Sequence, residues 1–105
     1  MVFLETSALT RRIAGLLADE EYADLQTDLC ERPDLGALIP ESGGVRKLRV
    51  AAKGHGKSGG ARVIYYWAAG RDRILFLRAY AKNEQPDLTR REIKDLRRAV
   101  EEEFG

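Results

Sequence analysis

Apolar residues in this chain recur at two periods, and the switches between them predict its elements. Residues 2–6 (VFLET) read as a short first strand. Ser7 is placed as the N-cap of a helix whose apolar positions, Leu9, Ile13, Leu16 and Leu17, follow helical spacing, with Gly15 weakening it. A second helix starts near Asp19 with acids in its first turn, where the helix dipole favours them. Tyr22, Leu25 and Leu29 form its apolar face, and Pro33 ends it. Residues 34–44, with Pro40, Gly43 and Gly44, read as loop around a short extended piece at Ala37 to Ile39.

The period then changes to two. From Val45 to Ala52, Leu48, Val50 and Ala52 face one way and Lys47, Arg49 and Ala51 the other. A glycine-rich connection, KGHGKSGG, leads to Ala61–Ala69, which is apolar on both faces except for Arg62, as a central strand would be. Gly70 to Asp72 turn the chain. Arg73 to Lys82 alternates again: Leu75, Leu77 and Ala79 share one face, and Ile74, Phe76, Arg78, Tyr80 and Lys82 the other. Short connections make these three strands antiparallel neighbours. Thr89 and Glu92 form a capping box for a last helix with Ile93, Leu96, Val100 and Phe104 as its stripe. The expected fold is α+β in the order β-α-α-β-β-β-α, a small, mainly antiparallel sheet with helices packed on one face, forming one domain over residues 1–105.

Composition narrows the class. At 105 residues, 44% hydrophobic and 33% charged, the chain is too apolar for a disordered segment. Its longest apolar run, Val63 to Ala69, is far below the ~18 residues of a membrane span. The first residues carry no basic stretch followed by an apolar core, so no secretory signal is expected and the cytoplasm is the expected compartment. A single cysteine, Cys30, and a single histidine, His55, exclude an intrachain disulfide, a cysteine zinc site and any two-histidine mechanism. No metal or cofactor is expected.

Charge changes the picture more. Residues 1–45 hold 3 Lys/Arg against 9 Asp/Glu, whereas residues 46–82 hold 10 against the single acid Asp72. The overall net charge of +1 therefore conceals a stretch of +9, expected to form one strongly basic patch of the kind that meets phosphate. The glycine connection nearly matches a phosphate-binding P-loop, since Ala51 to Ser58 reads A-x-x-x-x-G-K-S. A P-loop must open into a helix. Here two glycines and a strong strand follow, so nucleotide hydrolysis is rejected.

Such a patch suits RNA cleavage. An RNA 2′-hydroxyl can attack its own phosphodiester, and clustered cations stabilise the charge that grows on phosphorus. Mutual repulsion also lowers lysine pKa values, which opens proton transfer to them. Tyr80, two residues before Lys82 on the predicted strand, could stack on a base or share protons. Tyr65, Tyr66 and Trp67 are read as packing. Arg90-Arg91 and Arg97-Arg98 are read as solvated helix faces.

GGVRKLRVAAKGHGKSGGARVIYYW, then YAKNE, then DLT before the last helix, resembles the HigB-type branch of the RelE/ParE toxins, as do VFLETSALTRRI and DEEYADLQ. The resemblance spans essentially the whole chain. It implies a RelE fold, ribosome-dependent cleavage of mRNA at the decoding site, and a cognate antitoxin with a helix-turn-helix that represses the shared operon. By the same resemblance Arg62 matches the arginine after the glycine loop that stabilises the transition-state phosphate, and Tyr80 and Lys82 match the tyrosine and lysine of the Y-x-K-N-E segment. Lys57 joins these as catalytic. Lys47, Arg49, Lys53, His55, Arg78 and Asn83 are assigned to RNA or ribosome binding. The chain departs from RelE near the start of the last helix, where Thr89 stands at the position nearest a catalytic tyrosine, and beside Asn83, where RelE has an arginine. The toxin is expected to be monomeric outside its antitoxin complex and to stay off membranes. Two other readings share the fold or the patch: a ParE-type toxin that poisons DNA gyrase, and a noncatalytic RNA- or ribosome-binding module.

Overall fold

The segment read as buried on both faces is the middle strand of the sheet. The computed structural model describes residues 1–51, 60–85 and 87–105. Among these, the order is β1 (Val2–Glu5), α1 (Ser7–Leu16), α2 (Asp19–Glu31), β2 (Ala37–Leu38), β3 (Val45–Val50), β4 (Ala61–Ala68), β5 (Arg73–Ala81) and α3 (Arg90–Phe104). The five strands form one sheet in the order β1-β5-β4-β3-β2. β1 pairs with β5 in parallel and the other three pairings are antiparallel. This is the expected α+β architecture.

One element lies elsewhere than expected. Leu9, Ile13 and Leu16 of α1 and Leu25 and Leu29 of α2 pack with Val63, Tyr65, Ile74 and Phe76 on one face of the sheet. Leu96 and Val100 of α3 pack with Val45, Ile64, Leu75 and Leu77 on the other. The helices therefore sandwich the sheet rather than share a face. The reason is visible in β4: a strand apolar on both sides needs a cover on both sides.

Local chemistry fixes the joints. The N-cap of α1 is Thr6 rather than Ser7, and its Oγ1 accepts the Leu9 N–H at 3.1 Å. The same hydroxyl donates to the Leu77 carbonyl at 2.6 Å, tying the helix start to β5. The Thr89 capping box forms as expected, with Thr89 Oγ1 accepting from Glu92 N and Glu92 Oε1 accepting from Thr89 N. Tyr65, fully buried, donates its hydroxyl to Pro33 O at 2.8 Å and accepts the Gly36 N–H at 2.8 Å, which anchors the chain between α2 and β2. Phe3 stacks on Phe76 with ring centroids 5.6 Å apart.

β5 departs from simple alternation. Ile64 pairs with Arg78 but Tyr65 pairs with Phe76, so β5 carries one extra residue, Leu77. This is a β-bulge, and it reverses the facing of everything after it. Ile74 and Phe76 lie on the α1/α2 face, whereas Tyr80 joins the α3 face.

Candidate functional site

The bulge assembles the candidate site. On β4, Arg62 shares a face with Ile64, beneath α3. Its cross-strand partners are Arg49 on β3 and Tyr80 on β5, so Arg49, Arg62 and Tyr80 form a row across the sheet. The parallel row two residues further along is Lys47, Ile64 and Arg78. Without the extra residue in β5, Arg78 and Tyr80 would face α1 and α2, where the alternating pattern had grouped them with Ile74 and Phe76.

The two central members are not surface groups. Arg62 is 5% exposed and Tyr80 4%. Arg62, the charge that interrupts the apolar β4, is a buried guanidinium whose Nη1 donates to Ala61 O at 3.3 Å. The Tyr80 hydroxyl is buried and makes no hydrogen bond among the described residues. Burial, then the Asp87 carboxylate, push the Tyr80 phenol above its ordinary range, against the opposing pull of Arg62. Tyr80 is therefore a neutral phenol at neutral pH, able to donate a hydrogen bond and poorly suited to act as a base.

Two carboxylates that the sequence reading did not assign close over this face. Lys47 Nζ lies 3.3 Å from Asp87 Oδ1, and Arg78 Nη1 lies 2.6 Å from Glu92 Oε2. The Leu88 N–H and then Lys47 hold the Asp87 carboxyl below its usual range. Burial works against the Glu92 charge, yet the Thr89 N–H, the Arg78 guanidinium and Gln85 together hold its carboxyl low as well. The signal for Glu92 was its place in the capping box, which does not reveal that its second oxygen reaches β5.

Lys82 and Asn83 are exposed and lie just past β5, in the turn that follows Ala81, so Lys82 is not on the strand face with Tyr80. The Lys82 N–H donates to Gly60 O at 3.2 Å. Gly60 has φ +70, and a Cβ there would meet Val50 O at 2.5 Å, so only glycine fits where the end of the connection returns against β3. Glu84 folds back: its Oε1 accepts the Ala81 N–H at 3.0 Å and pairs with Arg12 of α1. Lys53, His55 and Lys57 lie outside the described residues.

The eight described cations of residues 46–82 are thus not one patch. Lys47, Arg49, Arg62 and Arg78 share the α3 face and Lys82 stands at its end. Arg46 turns to the other face, where it donates to the carbonyls of Asp34 and Gly36. Arg71 and Arg73 lie at the far end of the strands, Arg71 over the Phe104 ring at 5.8 Å. Thr89, at the position nearest the RelE tyrosine, spends its hydroxyl on the helix cap.

Residues 33–104 match the family model of the RelE toxin of the RelE / RelB toxin-antitoxin system. The chain belongs to the RelE toxin family. It is accordingly a toxin of a toxin–antitoxin system, and membership implies an antitoxin partner. The matched span contains β2 to β5 and all of α3, and hence both cationic rows. β1, α1 and α2 all precede it, although the two helices cover one face of the sheet. Among the described residues of the toxin, no helix is long and apolar enough to cross a membrane, and no group of three or more His, Cys, Asp or Glu could hold a metal ion.

Proposed function

We propose that this toxin is a HigB-type, ribosome-dependent mRNA endoribonuclease of the cytoplasm, acting at the decoding site by metal-free attack of the 2′-hydroxyl. The 2′-oxygen bonds to phosphorus as the P–O5′ bond breaks; one proton leaves the 2′-hydroxyl and one is delivered to the 5′-oxygen. The observation that carries this reading is the Arg49–Arg62–Tyr80 row across the sheet, in which an exposed arginine stands beside a buried guanidinium and a buried neutral phenol. Such preorganised donors suit a phosphate whose negative charge grows in the transition state. Arg62 binds that phosphate, Tyr80 donates a hydrogen bond to it, and Lys82, with Lys57, exchanges protons. Lys47, Arg49, Arg78 and Asn83 hold the RNA backbone, with Lys53 and His55 on the connection. As RNA enters, its phosphates replace Asp87 on Lys47 and Glu92 on Arg78.

The partners in this reading are the ribosome, mRNA and a cognate antitoxin with a DNA-binding helix-turn-helix; free of the antitoxin the toxin is a monomer. Primer extension on messages after brief induction tests it. Codon-phased cuts support the ribonuclease. Intact messages with DNA damage support a gyrase poison, and ribosome association without cuts supports a noncatalytic module.

A further inference from the structure

A second cationic cluster lies around the edge of the sheet from the first. β1 runs beside only Arg73–Phe76 of β5, so the rest of β5 has no strand on that side among the described residues. α1 begins there and walls a cleft of about 400 Å³ lined by Arg11, Arg12, Arg78, Tyr80, Glu84 and Gln85. Residues 1–45 contain three cations, Arg11, Arg12 and Arg32, against nine acids. Two of those three face this one cleft.

The cleft is also held in shape. Glu84 grips both Arg12 and the Ala81 N–H, which fixes α1 against the turn after β5. Arg12 is thereby neutralised in place, and Arg78 is answered by Glu92. Arg11, exposed, has no acid partner among the described residues, so a local positive charge remains for an incoming anion. Tyr80 lines this cleft and also belongs to the row of Arg49 and Arg62, so the row and the cleft adjoin.

We propose that this cleft is a phosphate subsite, taking an RNA backbone phosphodiester next to the scissile one, with Arg11 as its principal contact. It rests on the ribonuclease reading above for its place beside the cut, but its affinity can be measured without cleavage. Two assays use the whole toxin: binding of a fluorescent single-stranded RNA across a salt series, and cleavage kinetics on programmed ribosomes. Arg11→Gln should weaken RNA binding and raise KM about tenfold, the size of one charge-assisted hydrogen bond, and leave kcat within about twofold. The slope of log K against log salt should shrink by about 0.7, one single-strand phosphate. Arg11→Lys should restore most of the loss, and Arg90→Gln, exposed on α3 and outside this cleft, should change neither assay.

If the wild type cuts message and Arg11→Gln matches it in KM and salt slope, the subsite is absent. If Arg11→Gln leaves RNA binding intact and instead weakens the antitoxin complex, the open edge of β5 serves a protein strand, and the proposal is overturned. If the wild type binds RNA with the Arg11-dependent slope but never cuts message, the ribonuclease reading fails and the subsite stands. If it neither binds nor cuts, both fail.

Discussion

On one face of the sheet Val63, Tyr65 and Phe76 are fully buried under α1 and α2. On the other, one residue away in β4, Arg62 is almost as deeply buried, beside Tyr80 and below α3. The first face gains free energy from every apolar group it covers. The second covers an apolar half around Leu96 and Val100 and a cationic half whose guanidinium and phenol hydroxyl cost free energy to desolvate. Two faces of one sheet with opposite energetics separate what holds this toxin together from what it is kept for.

Substitution on each face should widen that contrast. Phe76→Ala empties the stack with Phe3 and Tyr22 and should cost about 3–5 kcal/mol in urea unfolding. A loss below about 1 kcal/mol would mean the α1/α2 face is not the stabilising one. Arg62→Met should do the reverse. Message cleavage should fall about 10²–10³-fold, whereas melting temperature should fall less than in Phe76→Ala, because the Met side chain fills most of the space that Arg62 leaves. A melting loss as large as that of Phe76→Ala would make Arg62 a structural residue.

Smaller effects sharpen the boundary. Tyr80→Phe removes a buried hydroxyl with no partner among the described residues, so it should stabilise by about 1 kcal/mol while slowing cleavage. A destabilised variant would reveal a bond that the hydroxyl makes. Glu92 and Asp87 have carboxyls held below their ordinary values of 4.5 and 3.8. Their contribution to stability is therefore complete above those values and is lost as pH falls through the lower, folded-state ones. Glu92→Gln should cost about 1 kcal/mol or less at pH 7 and flatten the acid limb of the stability curve; an unchanged limb would remove Glu92 from the account. Thr89→Ala should cost about 1 kcal/mol as a lost cap and leave cleavage by the folded protein unaltered. A cleavage defect at unchanged stability would give Thr89 a chemical role after all.

Much of this was legible in the chain and some was not. The strands, helices and Thr89–Glu92 box follow from period and capping, because neighbouring residues alone decide them. The opposite-face position of α3 was implied by β4 being apolar on both sides. Thr6 and Ser7 are equivalent caps by type; the Leu77 carbonyl, brought close only by the fold, selects Thr6. Lys47 was read as a strand cation, but Asp87, forty residues on, could not be paired with it by local pattern. The fold likewise divided the described cations of that stretch between two faces and two ends of the sheet.

The extra residue in β5 also determines which kind of genetic change can reach the cationic rows. Exchanging Leu77 for another apolar residue keeps the count of positions and so preserves the facing of Arg78 and Tyr80. Removing Leu77 restores strict alternation and turns both toward α1 and α2, into the apolar core. A library confined to apolar exchanges would therefore leave the two rows in place, and a single-codon deletion would turn them. For this fold, length in β5 carries information that side-chain identity does not.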